Sequence, residues 1–177
     1  MIRLFVGIGL DPSLAQSLAP LASGLPGARW VEGRNLHVTL RFIGEIEEGL
    51  ARELHDLLAD IAAPAFELSL AGFGTFGSKR PHTLWVGVTR EPAIERLRDK
   101  VESAMVRGGC PPEPRRFMPH VTLARLKDTP VSRVQDFIAG NSPFHAGPCP
   151  VTHFTLFRSY LSRAGAEYQV VAEYPLG

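Results

Sequence analysis

Two short segments of this chain carry side chains suited to acid–base chemistry, His37-Val38-Thr39-Leu40 and His120-Val121-Thr122-Leu123. Side chains alternate between the faces of a strand, so His37 and Thr39 share one face while Val38 and Leu40 point into the core. The same alternation pairs His120 with Thr122 in front of Val121 and Leu123. An imidazole titrates near neutral pH, so one histidine of a facing pair can take a proton from water while the other gives one to a departing alkoxide. Threonine hydroxyls donate hydrogen bonds to non-bridging phosphate oxygens, where charge sits in the transition state. Four such groups around one phosphorus suit phosphodiester hydrolysis. Each acid or base contributes roughly 10²–10⁴-fold, and neither role requires a metal.

The pattern has an internal control. His153-Phe154-Thr155-Leu156 repeats it a third time, so a single His-x-Thr carries no information. Context separates the copies. The first two share an identical His-Val-Thr-Leu, and both have an arginine just beyond: Arg41, and Arg125 after Ala124. His153 has no such echo and is read as an ordinary sheet histidine. His55 falls on a helix and is read as surface or edge; His82 and His145 fall in turns and are read as incidental. Arg80, Arg115 and Arg116 lie in loops, where they either grip flanking phosphates or simply stay solvated. A metal hydrolase is disfavoured, since there is no His-Glu-x-x-His, no cysteine pair and no carboxylate close to either motif histidine. Gly72-Phe73-Gly74 lacks the third glycine of a dinucleotide loop.

Strand-like and helix-like stretches alternate around these segments. Met1 to Leu10 is apolar but too short to span a membrane, and reads as a buried first strand rather than a signal peptide. Asp11 caps a short helix with Pro12 in its first turn, reaching about Ala22. Strands are expected over Asn35–Ile43, Phe66–Phe76, Thr83–Thr89, Phe117–Leu126, Val151–Ser159 and Tyr168–Tyr174. Helices are expected over Glu47–Ile61, Glu91–Met105 and Val131–Ala139, the second with Ile94, Leu97, Val101 and Met105 inward. Gly108–Pro114 reads as a loop. The order favours α+β with antiparallel sheets over a parallel doubly wound sheet. Strand, helix, His-Val-Thr-Leu strand, helix occurs twice, which suggests two similar lobes facing one another.

The bulk numbers set further bounds. A chain of 177 residues fits one domain, or two small lobes sharing a core. With a formal net charge of +1, any attraction for nucleic acid must come from a local arginine cluster. Cys110 and Cys149 are too few for a disulfide framework, and are read as incidental thiols in a reducing cytoplasm.

At the two histidine motifs the sequence resembles the two-histidine phosphoesterases, and within them the RNA 2′,3′-cyclic phosphodiesterases, historically called 2′-5′ RNA ligases. The resemblance spans nearly the whole chain. It includes Arg3-Leu4-Phe5-Val6-Gly7, the first motif with its tail Arg41-Phe42-Ile43-Gly44-Glu45, and Gly72-Phe73-Gly74-Thr75-Phe76 with Arg80-Pro81 and Leu84-Trp85. It continues through His120-Val121-Thr122-Leu123-Ala124-Arg125, Leu156-Phe157-Arg158-Ser159, Tyr168 and Tyr174-Pro175-Leu176. The resemblance implies an α+β fold over residues 1–177, with two pseudo-twofold lobes of antiparallel sheet and helices around a central cleft. It implies His37 as proton donor to the leaving 3′ oxygen and His120 as acceptor from water, giving a 2′-phosphomonoester. Thr39 and Thr122 would hold the phosphate, Arg125 would add positive charge, and Phe42 sits where the family stacks a base. From the residues alone, a core aromatic is an equal reading of Phe42. They do not tell the two imidazoles apart either, and near symmetry lets them exchange roles.

No cofactor or metal is implied. The implied partner is RNA ending in a 2′,3′-cyclic phosphate, tRNA halves among the candidates, and the implied setting is a cytoplasmic monomer without a membrane. ATP-independent 2′-5′ ligation would be the reverse reaction. Two alternatives stay open: a module that binds RNA ends without turnover, and an enzyme for another cyclic phosphate, such as a cyclic nucleotide or ADP-ribose 1″,2″-cyclic phosphate.

Overall fold

The computed structural model describes residues 1–177. Its strands are β1 (Ile2–Gly9), β2 (Ala28–Trp30), β3 (His37–Ile46), β4 (Phe66–Phe76), β5 (Thr83–Val88), β6 (His120–Leu126), β7 (His145–Val151), β8 (His153–Ser162) and β9 (Gly165–Pro175). The helices are α1 (Pro12–Leu18), α2 (Glu48–Ala59), α3 (Pro92–Arg107) and α4 (Val131–Gly140). No helix is long and apolar enough to cross a membrane. Asp11 caps α1 as its type and place require, its Oδ1 accepting from the Ser13 amide at 2.8 Å, with Pro12 in the first turn. The four predicted inner residues of α3, Ile94, Leu97, Val101 and Met105, are all buried.

All nine strands pair antiparallel, in the order β7-β4-β5-β6-β3-β1-β8-β9 with β2 also on β6. This is an α+β fold of two four-stranded halves, β7-β4-β5-β6 and β3-β1-β8-β9. Their strands join only where Val38 pairs with Val121, the single registered pair of β3 with β6. Beyond that point the halves diverge, and β2 lies along β6 instead, with Arg29 opposite Arg125. The halves share topology: β1, α1, β3, α2 in one corresponds to β5, α3, β6, α4 in the other. Even the partners match, since His37 lies opposite Gly9 and His120 opposite Gly87.

Two strands escape the sequence pattern. The predicted strand Val151–Ser159 is the junction of β7 and β8, and His145 opens β7 rather than lying in a turn. Pro148 and Pro150 hide β7, because proline cannot donate to a ladder; the strand survives because it lies at the edge of the sheet. β2 has only three residues, too short for any periodicity. β6 starts at His120 rather than Phe117, since Pro119 has no N–H to pair. His55 is not simply a surface residue: its Nδ1 lies 2.8 Å from the Tyr174 hydroxyl, against whose ring it packs.

One buried ion pair ties the halves together. Arg41 of β3 is 6% exposed and gives Nη1 to Glu102 Oε1 of α3 at 2.9 Å. Its Nη2 donates to the Pro111 carbonyl, and the Glu113 amide donates to Glu102 Oε2 at 3.1 Å. The loop that leads into β6 is thus hung from a strand of the opposite half. Removing one partner of such a pair leaves an uncompensated buried charge. Glu102→Ala is therefore expected to lower unfolding free energy by about 3 kcal/mol, read from the urea midpoint. Arg41→Met combined with Glu102→Leu should recover most of the loss.

Candidate active site

β3 and β6 cross at Val38 and Val121, both fully buried. Period-two alternation then brings His37, Thr39, His120 and Thr122 to the other face. On the antiparallel register of that pair, His37 is level with Thr122 and Thr39 with His120. All four line one cleft of about 1140 Å³. Phe42 and Arg125 line it too, so every residue singled out in the sequence for this chemistry reaches the same cavity.

The route by which Phe42 and Arg125 get there differs from simple alternation. In β3 the register slips so that Gly7 faces Thr39 and Val6 faces Arg41, leaving Leu40 unpaired. In β6 the matching slip sets Trp85 against Thr122 and Leu84 against Ala124, leaving Leu123 unpaired. Each bulge falls on the leucine of His-Val-Thr-Leu and reverses the facing of the residues beyond it. The burial patterns there are identical in the two strands, with Leu40-Arg41 and Leu123-Ala124 turned in and Phe42 and Arg125 turned out. Arg41 and Arg125 are therefore not counterparts, contrary to the reading from sequence. Arg41 corresponds to Ala124 and is consumed by Glu102, while Phe42 corresponds to Arg125.

Both imidazoles are held alike. Nδ1 of His37 lies 2.8 Å from the Asn35 carbonyl, and Nδ1 of His120 lies 2.6 Å from the Met118 carbonyl. A carbonyl only accepts, so Nδ1 carries hydrogen in each ring and Nε2 is left for acid–base work. His37 Nε2 lies 3.0 Å from Thr39 Oγ1. Aromatic rings confine both: Phe5 at 4.8 Å and Tyr168 at 5.1 Å around His37, Phe76 at 5.0 Å edge-on to His120. Burial among these rings pushes the His37 pKa below its ordinary 6.5, and the positive charges of His120 and Arg125 push it the same way, against the Asn35 hydrogen bond.

The cleft is cationic despite the near-neutral chain. Seven arginines and two glutamates line it, with no lysine or aspartate. Arg41 and Arg98 are bound to Glu102 and Arg115 to Glu113, while Arg3, Arg29, Arg116 and Arg125 have no carboxylate partner. Phe42, 39% exposed, carries the Arg3 guanidinium 5.0 Å over its ring, so it is a wall of the cleft and not a core aromatic. Arg80 does not line the cleft. His82, read as incidental, does, and its Nδ1 lies 2.8 Å from Thr83 Oγ1. His153 stays outside, exposed and 3.8 Å from Glu173. Arg29 had no signal in the sequence, because only the unforeseen β2 brings it here.

A bilobal antiparallel fold with paired His-x-Thr strands across a cationic cleft has known counterparts. The chain belongs to the 2'-5' RNA ligase superfamily, which it matches over residues 10–162. It is 36% identical to an RNA 2',3'-cyclic phosphodiesterase of Aeropyrum pernix over 154 residues, covering 85% of this chain and 87% of the relative. A second enzyme of that name, from Archaeoglobus fulgidus, is 32% identical across 95% of this chain and 97% of its own length. Among solved structures, E. coli LigT superposes with TM-score 0.80 at 27% identity, covering 99% of this chain and 97% of the other. LigT complexed with 3'-AMP gives the same TM-score and identity, covering 99% and 98%.

The electrostatics of His37 can be measured directly. In an NMR titration of the free protein, its imidazole is expected to reach half-protonation below 6.5. Arg125→Ala should move that midpoint upward, because removing a positive neighbour favours the charged ring. An unmoved or lowered midpoint would contradict the assigned cause.

Proposed function

We propose that this protein hydrolyses 2′,3′-cyclic phosphate ends of RNA to 2′-phosphomonoesters by acid–base catalysis between His37 and His120. The observation that carries the reading is the convergence of the two imidazoles, each with Nδ1 held by a backbone carbonyl so that Nε2 is the nitrogen available for proton transfer, on one cationic cleft. In the forward direction Nε2 of His120 takes a proton from water as its oxygen bonds to phosphorus. The bond from phosphorus to O3′ breaks, and His37 gives its proton to that oxygen. The 2′ ester bond is untouched, so the product carries a 2′-phosphate and a free 3′-hydroxyl. Thr39 and Thr122 donate to the non-bridging oxygens, Arg125 supplies charge, and Phe42 stacks a base. The steps are reversible in principle, and the reverse joins a cyclic end to a 5′-hydroxyl through a 2′-5′ bond without ATP.

His37 must be charged to act as donor, yet in the free protein its surroundings favour the neutral ring. The substrate supplies the remedy: an anionic phosphodiester between the imidazoles offsets His120 and Arg125 and draws the His37 pKa up. We read residues 1–177 as one bilobal unit working as a monomer. Its two unpaired cysteines suit a reducing cytoplasm, where RNA fragments such as tRNA halves supply such ends.

The deciding experiment offers a short RNA with a 2′,3′-cyclic end, in EDTA, beside mononucleotide and ADP-ribose cyclic phosphates. Opening of the RNA end to a 2′-phosphate is the expected result. Tight binding without turnover would make the protein a binding module instead, and activity on the small cyclic phosphates alone would reassign its substrate. His37→Ala and His120→Ala should each lower kcat by about 10² or more with folding intact. Thr39→Ala and Thr122→Ala should cost less, and His153→Ala almost nothing.

The pH profile tests the paired roles separately. Both kcat and kcat/KM should be bell-shaped, since one histidine acts neutral and the other charged. The limb set by the donor should lie at lower pH in kcat/KM, which reports the free enzyme, than in kcat, where the bound phosphate raises its pKa. Coincident limbs, or a plateau at high pH, would reject His37 as the donor.

A further inference from the structure

Arg29 on β2 and Arg125 on β6 are direct cross-strand partners, and both line the cleft. Such partners on one face of an antiparallel pair have Cβ atoms about 5 Å apart, and like charges so placed repel one another. Nothing in the protein relieves the repulsion, because neither guanidinium takes part in an ion pair.

The fold nevertheless holds this arrangement firmly. Gly27, at φ +76°, admits β2 so close to β6 that a Cβ there would lie 2.0 Å from the Lys127 carbonyl oxygen. Thr129 donates its hydroxyl to the Pro26 carbonyl at 2.7 Å, and the Trp30 ring leans on Phe137 at 5.9 Å. Arg125 is steadied by one nitrogen, Nη1, which donates to Oγ1 of the buried Thr83 at 3.0 Å. Its remaining donors are uncommitted. Two arginines at paired backbone positions, one steadied by Thr83 and neither with a carboxylate partner, are suited to clamp an anion.

In the proposed reaction the histidines and threonines already take the cyclic phosphate, and Arg125, beside it on β6, adds charge that the next phosphate along the chain can share. The next anion along an RNA strand is the internucleotide phosphate on the 5′ side of the terminal nucleotide. We propose that Arg29, together with Arg125, holds that neighbouring phosphate, so that the protein selects oligonucleotide ends over mononucleoside cyclic phosphates. This rests on the cleft taking RNA ends, and it adds a subsite that recognises chain length.

The test compares a dinucleotide ending in a 2′,3′-cyclic phosphate with the corresponding mononucleoside 2′,3′-cyclic phosphate. In Arg29→Ala the ratio of their kcat/KM values should fall about tenfold or more, the size of one lost charged contact. The slope of log kcat/KM against log salt for the dinucleotide should become shallower by about 0.7. Arg29→Lys should retain part of the preference. The melting temperature of Arg29→Ala should equal or exceed that of the wild type, since a like-charge contact is removed. Equal losses on both substrates would assign Arg29 to the reacting phosphate and overturn the proposal, as would an unchanged ratio. If the wild type opens neither substrate, the cyclic-phosphate reading itself fails. The clamp is then decided by binding of a dinucleotide bearing a terminal 2′-phosphate, which Arg29→Ala must weaken if the clamp exists.

Discussion

The site depends on one contact between two buried valines. Val38 and Val121 form the single registered pair between the halves of the sheet. Burying a valine side chain stabilises by about 1.5–3 kcal/mol, and that burial fixes which face of each strand is apolar. The opposite face then has no freedom. His37 and Thr39 on one strand, and His120 and Thr122 on the other, must look into the space where the halves part. A shift of one residue in either strand would exchange imidazole for valine in the cleft and expose the core face. Apolar packing and polar chemistry are two sides of the same register.

A second constraint refines the first. Each strand bulges at the leucine of its motif, and after the bulge the facing is reversed. The device is duplicated, but the residues it delivers are not. One half turns Phe42 into the cleft, with Arg3 over its ring, and the other turns out Arg125, with Arg29 as its neighbour. Near-symmetric imidazole and hydroxyl groups therefore sit between an aromatic end and a cationic end. That asymmetry gives the cleft a direction for a polar chain such as RNA, which the paired histidines alone would not.

The arginines divide by their partners. Glu102 holds Arg41 and Arg98 and fastens the loop before β6, so these cations stabilise the support of His120. The arginines without carboxylates raise the local potential, and Arg125 among them adds to the burial and the His120 charge that lower the His37 pKa. A net charge of +1 conceals this, since a total says nothing about where charges lie.

The sequence by itself determined the paired motifs, the buried valine and leucine behind each, the three long helices and the antiparallel α+β class. These are local facts, written in spacings of two and of three to four residues. Only the tertiary structure decided that Arg41 turns inward while Phe42 and Arg125 turn outward, because a bulge is a mismatch between partners and leaves no mark on one strand alone. It also supplied β7 despite two prolines, since tolerance of proline depends on being an edge strand. The joining of Arg29 to Arg125 was likewise invisible: a three-residue strand has no periodicity, and its place is set by a glycine turn and by the gap where the two halves diverge.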